Sequence, residues 1–319
     1  MNDQFERTLK YLRISITDRC NLRCQYCIPE DIPFMPHDEI LTYDEIIRVS
    51  ASMAKLGVDT LRITGGEPLL RSDCTELIGR LKAIEGIKKV KLTTNGVYLL
   101  ENIEKLSEYK IDGINVSLDT RDAKVFKDIT GFDRLGKVMD GIHKALEHNI
   151  QVKINVVPLK DVNENELVSL ANLAKELPVD VKFIELMPTE ICGNLEGITS
   201  DEVLEILKKE YQDIKAIHEF KGLGPAKYYK TDDMLGSVGF INPISHGFCG
   251  DCNRLRLTSD GYLKLCLYHK EGSNLRDLIR GGCTDQDIID TITEAVSRKP
   301  EKHFFDEKPG FKSMSQIGG

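Results

Sequence analysis

Long hydrophobic segments are missing from this 319-residue sequence. No apolar run approaches the roughly 20 residues of a membrane-spanning helix. The N-terminal MNDQFERTLK also lacks the apolar centre of a secretory signal. We therefore expect a cytoplasmic protein with no membrane partner.

Positive charge is in the minority, because 43 lysines and arginines stand against 51 aspartates and glutamates, for a net charge of -8. This balance argues against nonspecific binding to nucleic acid, so no nucleic-acid partner is expected and an anionic ligand would need a local basic pocket. Charged residues make up 29% and apolar residues 41% of the chain, which is typical of a globular protein. The length suits one large domain, or a domain with an extension.

Cysteines are too few and too clustered for a disulfide scaffold, which reducing cytosol would also disfavour. Six of the nine fall into two groups of three, and this grouping indicates metal binding. The other three, Cys74, Cys192 and Cys283, match no ligand spacing and are expected to be ordinary thiols.

Strand-like and helix-like patterns alternate in the first two thirds of the chain. Amphipathic patterns predict helices such as 42–56, where Thr42 and Glu45 form a capping box, and 163–177. This alternation predicts βαβ units and a parallel sheet covered by helices, and periodicity leaves a doubly wound sheet and a partial barrel both open. Short β-branched or apolar runs predict six strands at 12–17, 60–64, 90–93, 113–118, 152–157 and 181–186.

The pattern changes after about residue 188. A helix is predicted at 200–211, and Ser259, Asp260 and Gly261 read as a hairpin turn between the last two of several short β-like runs. We expect a second region of antiparallel character, with helical structure again over 272–304. The predicted division is 1–212 and 213–319. The β-like runs are 214–220, 237–241, 254–257 and 262–267.

The first cysteine group, Cys20, Cys24 and Cys27, forms CxxxCxxC directly after the first predicted strand. Three thiolates can ligate three irons of a [4Fe-4S] cluster and leave the fourth iron open. Zinc is the alternative, but it prefers four ligands, and the nearest histidine, His37, is ten residues on.

The second group, Cys249, Cys252 and Cys266, again offers three ligands and suits a cluster with one open iron. A zinc site completed by His246 or His269 stays open as the main alternative.

Two arginines, Arg254 and Arg256, follow the second CxxC on a predicted strand, so strand alternation places them on one face. Their planar guanidinium groups suit a phosphate-bearing or purine ligand. A solvated edge strand is the alternative interpretation.

The spacing CxxxCxxC, with Tyr26 before the third cysteine of a βα protein, resembles the radical S-adenosylmethionine superfamily. Over nearly the whole chain, the ordered motifs resemble one family, the GTP 3',8-cyclases of molybdenum cofactor (molybdopterin) biosynthesis. These motifs are RISITDRCNLRCQYC, LRITGGEPLLR, LTTNG, INVSLD, KFIELMP, GFCGDCNRLRLTSDGYLKLC and the terminal Gly318-Gly319.

The family resemblance implies a partial (βα)6 TIM-like barrel, closed by a C-terminal extension of antiparallel strands and helices. It implies two [4Fe-4S] clusters, on Cys20, Cys24 and Cys27 and on Cys249, Cys252 and Cys266. S-adenosylmethionine bound at the first cluster would yield a 5'-deoxyadenosyl radical that converts GTP to (8S)-3',8-cyclo-7,8-dihydro-GTP.

The resemblance also implies contact residues and partners. The implied S-adenosylmethionine contacts are Tyr26, Gly66, Ser117 and Met187. The implied GTP contacts are Arg13, Arg62, Thr93, Lys153, Arg254, Leu255 and Arg256. The C-terminal glycines would reach into the active site, and further expectations are an electron donor, a homodimer and a downstream cyclic pyranopterin monophosphate synthase that uses the product.

Two positions depart from commoner family patterns: Ile28 replaces Met, and Lys182 replaces Arg. The nearest rival interpretation is another radical S-adenosylmethionine enzyme, such as a peptide-modifying maturase. Those enzymes usually carry more C-terminal cysteines and lack the RLR beside CxxC. A noncatalytic electron-transfer protein is the rival from another class, and it would need a fourth ligand at each cysteine group.

Overall fold

A computed structural model describes residues 1–28, 32–188, 191–217, 224–302 and 314–318. Its strands are β1 (Tyr11–Ser15), β2 (Thr60–Thr64), β3 (Lys89–Thr94), β4 (Ile114–Ser117), β5 (Val152–Val156), β6 (Asp180–Ile184), β7 (Lys215–Ile217), β8 (Lys227–Lys230), β9 (Ser237–Ile241), β10 (Arg254–Leu257), β11 (Tyr262–Lys264) and β12 (Gly272–Asn274). They form one mixed sheet in the order β12-β11-β10-β1-β2-β3-β4-β5-β6-β9-β8-β7.

The helices of the described residues follow most of the strands. Thr42 caps the first helix, and the reciprocal bond from Glu45 confirms the predicted capping box. The helices are α1 (Tyr43–Lys55), α2 (Cys74–Lys82), α3 (Leu99–Glu108), α4 (Ala123–Thr130), α5 (Leu135–Glu147), α6 (Leu167–Glu176), α7 (Ser200–Glu210), α8 (Leu275–Arg280), α9 (Asp285–Ser297) and α10 (Met314–Ile317). None of these helices in the described ranges has both the length and the apolarity that a membrane crossing needs.

All six predicted βα strands are confirmed, and β1 to β6 are parallel neighbours in chain order. The sheet has two free ends and does not close, which matches the expected partial barrel with a C-terminal extension. Alternate strand residues such as Leu12, Ile14 and Leu61 are fully buried in the core, which also contains Ile46 and Met53 of α1. The other alternate residues are therefore free to form the inner face of the sheet.

The C-terminal strands pair antiparallel with one another, as predicted, in the two sets β7-β8-β9 and β10-β11-β12. They do not form a separate sheet, because β9 also pairs parallel to β6 and β10 also pairs parallel to β1. Strand direction depends on distant partners, and the alternation within one strand carries no information about it.

Two further details differ from the prediction. The predicted helical segment 272–304 begins with strand β12, where the backbone of Gly272 lies so close to Leu263 that a Cβ atom would come within 2.1 Å of its carbonyl oxygen. Strand β8 was not predicted. Residues 218–220 of the predicted run 214–220 lie outside the described residues.

Candidate active site

A cavity of about 370 Å³ lies at the carboxyl ends of the parallel strands, and all six clustered cysteines line it. Ser117 and Ile184 are the last residues of β4 and β6, and both line this cavity. Parallel strands therefore bring the two distant cysteine groups to one site. Of the predicted contacts, the lining includes Tyr26, Gly66, Ser117, Met187, Arg13, Thr93, Arg254 and Arg256.

The first cysteine loop is held by backbone and side-chain contacts. Asn95 donates its amide to Asn21 at 2.8 Å and lies 3.6 Å from the Cys20 sulfur. The backbone N–H of Leu22 also donates to that sulfur, at 3.4 Å. These N–H groups suit a sulfur that carries negative charge, as a metal-bound thiolate does.

Gly65 and Gly66 pack against the backbone of the first cysteine loop. A Cβ atom on Gly65 would lie 2.6 Å from the Thr17 carbonyl oxygen, and one on Gly66 would lie 2.3 Å from that of Arg19. The Gly66 N–H donates to the Thr17 carbonyl at 2.7 Å. The glycines are needed because the loop occupies the space of a side chain.

Tyr26 is fixed by Asp119, a buried residue that the sequence analysis did not single out. The Tyr26 hydroxyl donates to Asp119 Oδ2 at 2.5 Å, and the Val157 N–H donates to Oδ1 at 2.8 Å. Burial raises the pKa of Asp119 to about 6, although both hydrogen bonds limit the rise. The signal was present in the sequence, because Asp119 lies two residues after Ser117 in INVSLD.

The first cysteine group fits an iron–sulfur cluster. Burial raises the pKa of Cys20 to about 11 and that of Cys27 to about 12, so these thiols need a bound cation to ionise at neutral pH. Within the described ranges, no three His, Cys, Asp or Glu side chains are arranged around a single metal ion. A cluster does not need its cysteines to surround one ion, because each sulfur binds a different iron.

In the second cysteine group, Cys249 begins a 3-10 turn, Cys249–Asp251, Cys252 directly follows this turn, and Cys266 lies two residues after β11. Burial acts to raise the pKa of Cys252, but the nearby Lys299, Arg254 and Arg7 outweigh it, so the net shift is downward. The histidines of the zinc alternative have other partners: His246 Nε2 lies 3.0 Å from Asp201, and His269 Nε2 lies 3.2 Å from the Lys302 carbonyl. Neither histidine therefore completes a metal-binding group with these cysteines among the described residues.

A row of cations crosses the inner face of the sheet on five neighbouring strands. The strand register pairs Arg13 with Arg256 on one side and with Arg62 on the other. Lys264 extends the row beyond Arg256, and Lys91 extends it beyond Arg62. Such a row favours the binding of a multivalent anion.

Arg13 is the member of this row with the clearest need for a ligand. Its Nε atom is buried without a hydrogen-bond partner among the described residues. Burial, and then repulsion from Arg256, lower the pKa of Arg13 well below its usual range. A guanidinium with a buried, unpartnered N–H fits an anionic ligand, since an unsatisfied buried donor is costly.

Lys182 shows that the sheet curves around the cavity. Burial lowers its pKa well below the usual range, and Arg62, Lys153 and Arg13 add to this effect. Arg62 and Arg13 lie on β2 and β1, several strands from β6, so these strands face each other across the interior. Lys182 thus adds to the interior positive charge.

Three predicted GTP contacts do not line the cavity. Arg62 is buried and donates to Tyr11, to Thr93 at 3.2 Å and to the Leu92 carbonyl at 3.3 Å. Lys153 forms a buried ion pair with Asp180 at 2.9 Å. Leu255 points to the opposite face, where it is buried in the apolar core.

The C-terminal segment reaches the cavity. The Gly318 carbonyl accepts a hydrogen bond from Thr64 at 3.1 Å, and the Ile317 carbonyl accepts one from Arg256 at 3.4 Å. Gly318 has φ +79°, a conformation that favours glycine. Gly319, the other half of the predicted glycine pair, lies outside the described residues.

The chain is similar to known proteins over its whole length. A family model described as Radical SAM superfamily matches residues 14–174, and one described as Molybdenum Cofactor Synthesis C matches residues 179–305. A Clostridium perfringens GTP 3',8-cyclase is 44% identical over 100% of both chains, and one from Limosilactobacillus fermentum is 42% identical over 99% of this chain and 98% of its own. Molybdenum cofactor biosynthesis protein 1 of Bos taurus is 40% identical over 95% of this chain and 48% of its own length.

Solved structures support the fold. Streptococcus suis SuiB bound to S-adenosylmethionine has a TM-score of 0.63 at 17% identity, over 85% of this chain and 64% of that chain. SuiB bound to its precursor peptide SuiA also has a TM-score of 0.63, at 16% identity, over 98% of this chain and 76% of that chain. These similarities concern the fold alone.

Proposed function

The chain belongs to the GTP 3',8-cyclase family of radical S-adenosylmethionine enzymes, and from this premise we propose that it converts GTP to (8S)-3',8-cyclo-7,8-dihydro-GTP. One observation carries the proposal: a single cavity is lined by both cysteine groups and by Arg13, whose buried Nε has no hydrogen-bond partner among the described residues. The cavity thus combines the ligands for a radical-generating centre with a site for an anion.

Two [4Fe-4S] clusters are proposed, one on Cys20, Cys24 and Cys27 and one on Cys249, Cys252 and Cys266. When bound, the first cluster with S-adenosylmethionine supplies a 5'-deoxyadenosyl radical. The chain itself provides the remaining conditions. It encloses the cavity with apolar residues such as Val157, Leu186 and Leu265, which limit access of water to the reacting atoms.

The cationic row is proposed to bind GTP. Arg13, Arg254 and Arg256 line the cavity and can donate to phosphate or guanine oxygens. Arg62 and Lys153 lie behind this lining, so we propose that they act by adding positive charge and by orienting Thr93 and Asp180. Leu255 would contribute through its backbone, since its side chain faces the core.

S-adenosylmethionine is proposed to contact Tyr26, Gly66, Ser117 and Met187, which line the same cavity. Asp119 would hold the Tyr26 ring through their short hydrogen bond. Gly66 would hold the first cysteine loop against the end of β2. These residues therefore position the cofactor without a charged contact of their own.

The remaining features are predictions of the resemblance. We keep the division at residue 212, a cytoplasmic location, a homodimer, an electron donor and a downstream cyclic pyranopterin monophosphate synthase as proposals. Strands from both sides of residue 212 belong to one sheet, which supports the proposal that the two regions pack against each other.

Anaerobic reconstitution tests the function directly. The chain is incubated with iron and sulfide, and then with reductant, S-adenosylmethionine and GTP. We expect about two clusters per chain and 5'-deoxyadenosine only when GTP is present. Two zinc ions per chain, or the same cleavage without GTP, would refute the proposal.

Variants separate the two halves of the site. Cys24→Ser is expected to abolish 5'-deoxyadenosine formation. Arg256→Ala is expected to raise KM for GTP about 30-fold or more, because loss of a buried charge contact costs roughly 2 kcal/mol or more, while the first cluster stays intact. Arg134→Ala, which removes an exposed arginine, is the control and should leave KM unchanged.

A further inference from the structure

Lys299 is a buried cation that lies behind the second cysteine group. Only 2% of the residue is exposed. Its Nζ donates to the Arg254 carbonyl at 3.1 Å and to the Leu265 carbonyl. Arg254 lies two residues after Cys252, and Leu265 directly precedes Cys266. One ammonium group therefore links the two backbone segments that carry two of the three cysteines.

The charge of Lys299 has no carboxylate partner within ion-pair distance in the described part of the chain. Asp3, a carboxylate that acts to raise the pKa of Lys299, is already paired with Arg7 at 2.6 Å. Burial lowers the pKa of Lys299, while Cys252 and then Cys266 raise it. Burying an unpaired ammonium costs several kcal/mol, so the cysteine sulfurs are the groups that can balance it.

Arg7 contacts the backbone of Cys249, the remaining cysteine of this group. Its guanidinium donates to the Cys249 carbonyl at 2.9 Å and to the Pro300 carbonyl at 2.7 Å. Pro300 directly follows Lys299, so the two cations occupy one layer behind the cysteines. Because Asp3 neutralises Arg7, Lys299 supplies the net positive charge of this layer.

We propose that Lys299 is a positioning residue that supplies the counter-charge of the second iron–sulfur site and raises the reduction potential of the cluster held there. The inference rests on the second cluster of the proposed function. A thiolate-bound cluster becomes more negative on reduction, and a buried cation close to it stabilises that form. Neither Lys299 nor Arg7 is among the site residues predicted from the family resemblance.

The test is an EPR-monitored redox titration of the reconstituted full-length chain. The second-cluster signal is the one that survives in Cys24→Ser. Lys299→Met is expected to shift the midpoint potential of that signal to more negative values and to leave the first-cluster potential unchanged. Lys299→Arg, which keeps the charge, should retain most of the wild-type potential. Arg298→Met is the matched control, because it removes an adjacent cation that is paired with Glu294 at the surface.

The outcomes distinguish this inference from the proposed function. An unchanged second-cluster potential in Lys299→Met, or an equal shift in Arg298→Met, overturns the inference alone. A wild-type chain with no second cluster overturns the proposed function. If Lys299→Met loses both clusters, Lys299→Gln, which keeps a hydrogen-bond donor without the charge, decides by the same criteria. Loss of both clusters in that variant too would show a purely structural role and overturn the inference.

Discussion

Lys153 and Asp180 form a buried ion pair that links neighbouring strands β5 and β6. Lys153 Nζ lies 2.9 Å from Asp180 Oδ2, and each side chain is only 8% exposed. The Ser237 hydroxyl donates to Asp180 Oδ1 at 2.6 Å. Lys153 Nζ also lies 5.1 Å from the centroid of the Tyr228 ring. Removal of one partner would leave the other charge buried without its ion pair.

We expect Lys153→Met and Asp180→Asn each to lower the free energy of unfolding by roughly 3–5 kcal/mol, the usual cost of breaking a buried pair. The double variant should lose less than the sum of the two, because it leaves no unpaired charge. The measurement is urea unfolding followed by far-UV circular dichroism. Lys208→Met is the control, because its ion pair with Glu205 is exposed and its loss should cost about 0.5 kcal/mol or less.

Single-variant costs below about 1 kcal/mol, or strictly additive costs, would refute this reasoning. The same variants bear on GTP binding. If Lys153 also attracts the substrate, Lys153→Met should raise KM for GTP, whereas Asp180→Asn, which keeps the cation, should not. An equal rise in KM in both variants would mean that the loss of the ion pair distorts the fold and that Lys153 does not attract GTP directly.

Two further predictions concern the loop after β2. Gly66→Ala should displace the Arg19 backbone and lower the occupancy of the first cluster, measured as iron per chain. Gly136→Ala is the control and should not change the occupancy, because nothing lies within 4 Å of its added Cβ. Equal occupancy in both variants would contradict the packing argument. Burial raises the pKa of Glu67 to about 7 despite hydrogen bonds from Asn95, Thr94 and Leu69, so the folded chain keeps a proton that the unfolded chain has lost. Its contribution to stability is therefore lost as the pH rises from about 4.5 to about 7, by about 3 kcal/mol. Urea unfolding across this range should show a shallower pH dependence for Glu67→Gln, and an unchanged slope would count against the assignment.

The parallel core of the fold could be predicted from the sequence because its signals are local. Each strand from β1 to β6 is a short run of β-branched or apolar residues, and each is followed by an amphipathic helix. The runs that form β9 and β10 were predicted, but their places in the sheet were not, because these depend on pairing with β6 and β1, which are distant in sequence. Similar alternation along a strand is compatible with either direction of pairing.

The candidate site, too, was predictable only where its signals are local in the sequence. Cysteine spacing predicted two metal-binding groups, whose six cysteines line one cavity, and strand alternation placed Arg254 and Arg256 on one face. The roles of Asp119 and Lys299 were not predictable in this way, since each depends on contacts across the fold. Lys299 lies at the end of a helix, in a sequence context typical of an exposed lysine, and only the tertiary structure shows that it is buried.

The pairing of β1 with β10 has a consequence for biosynthesis. Residues Tyr11 to Ile14 pair with Arg254 to Leu257, so one edge of the strand before the first cysteine loop stays open until nearly the whole chain has left the ribosome. Chains are synthesised from the N-terminus, and such long-range pairing is slow to form. We expect the first cysteine group to be exposed to iron, and to oxygen, well before the second exists. Protection of the first site thus depends on the last strands to be made.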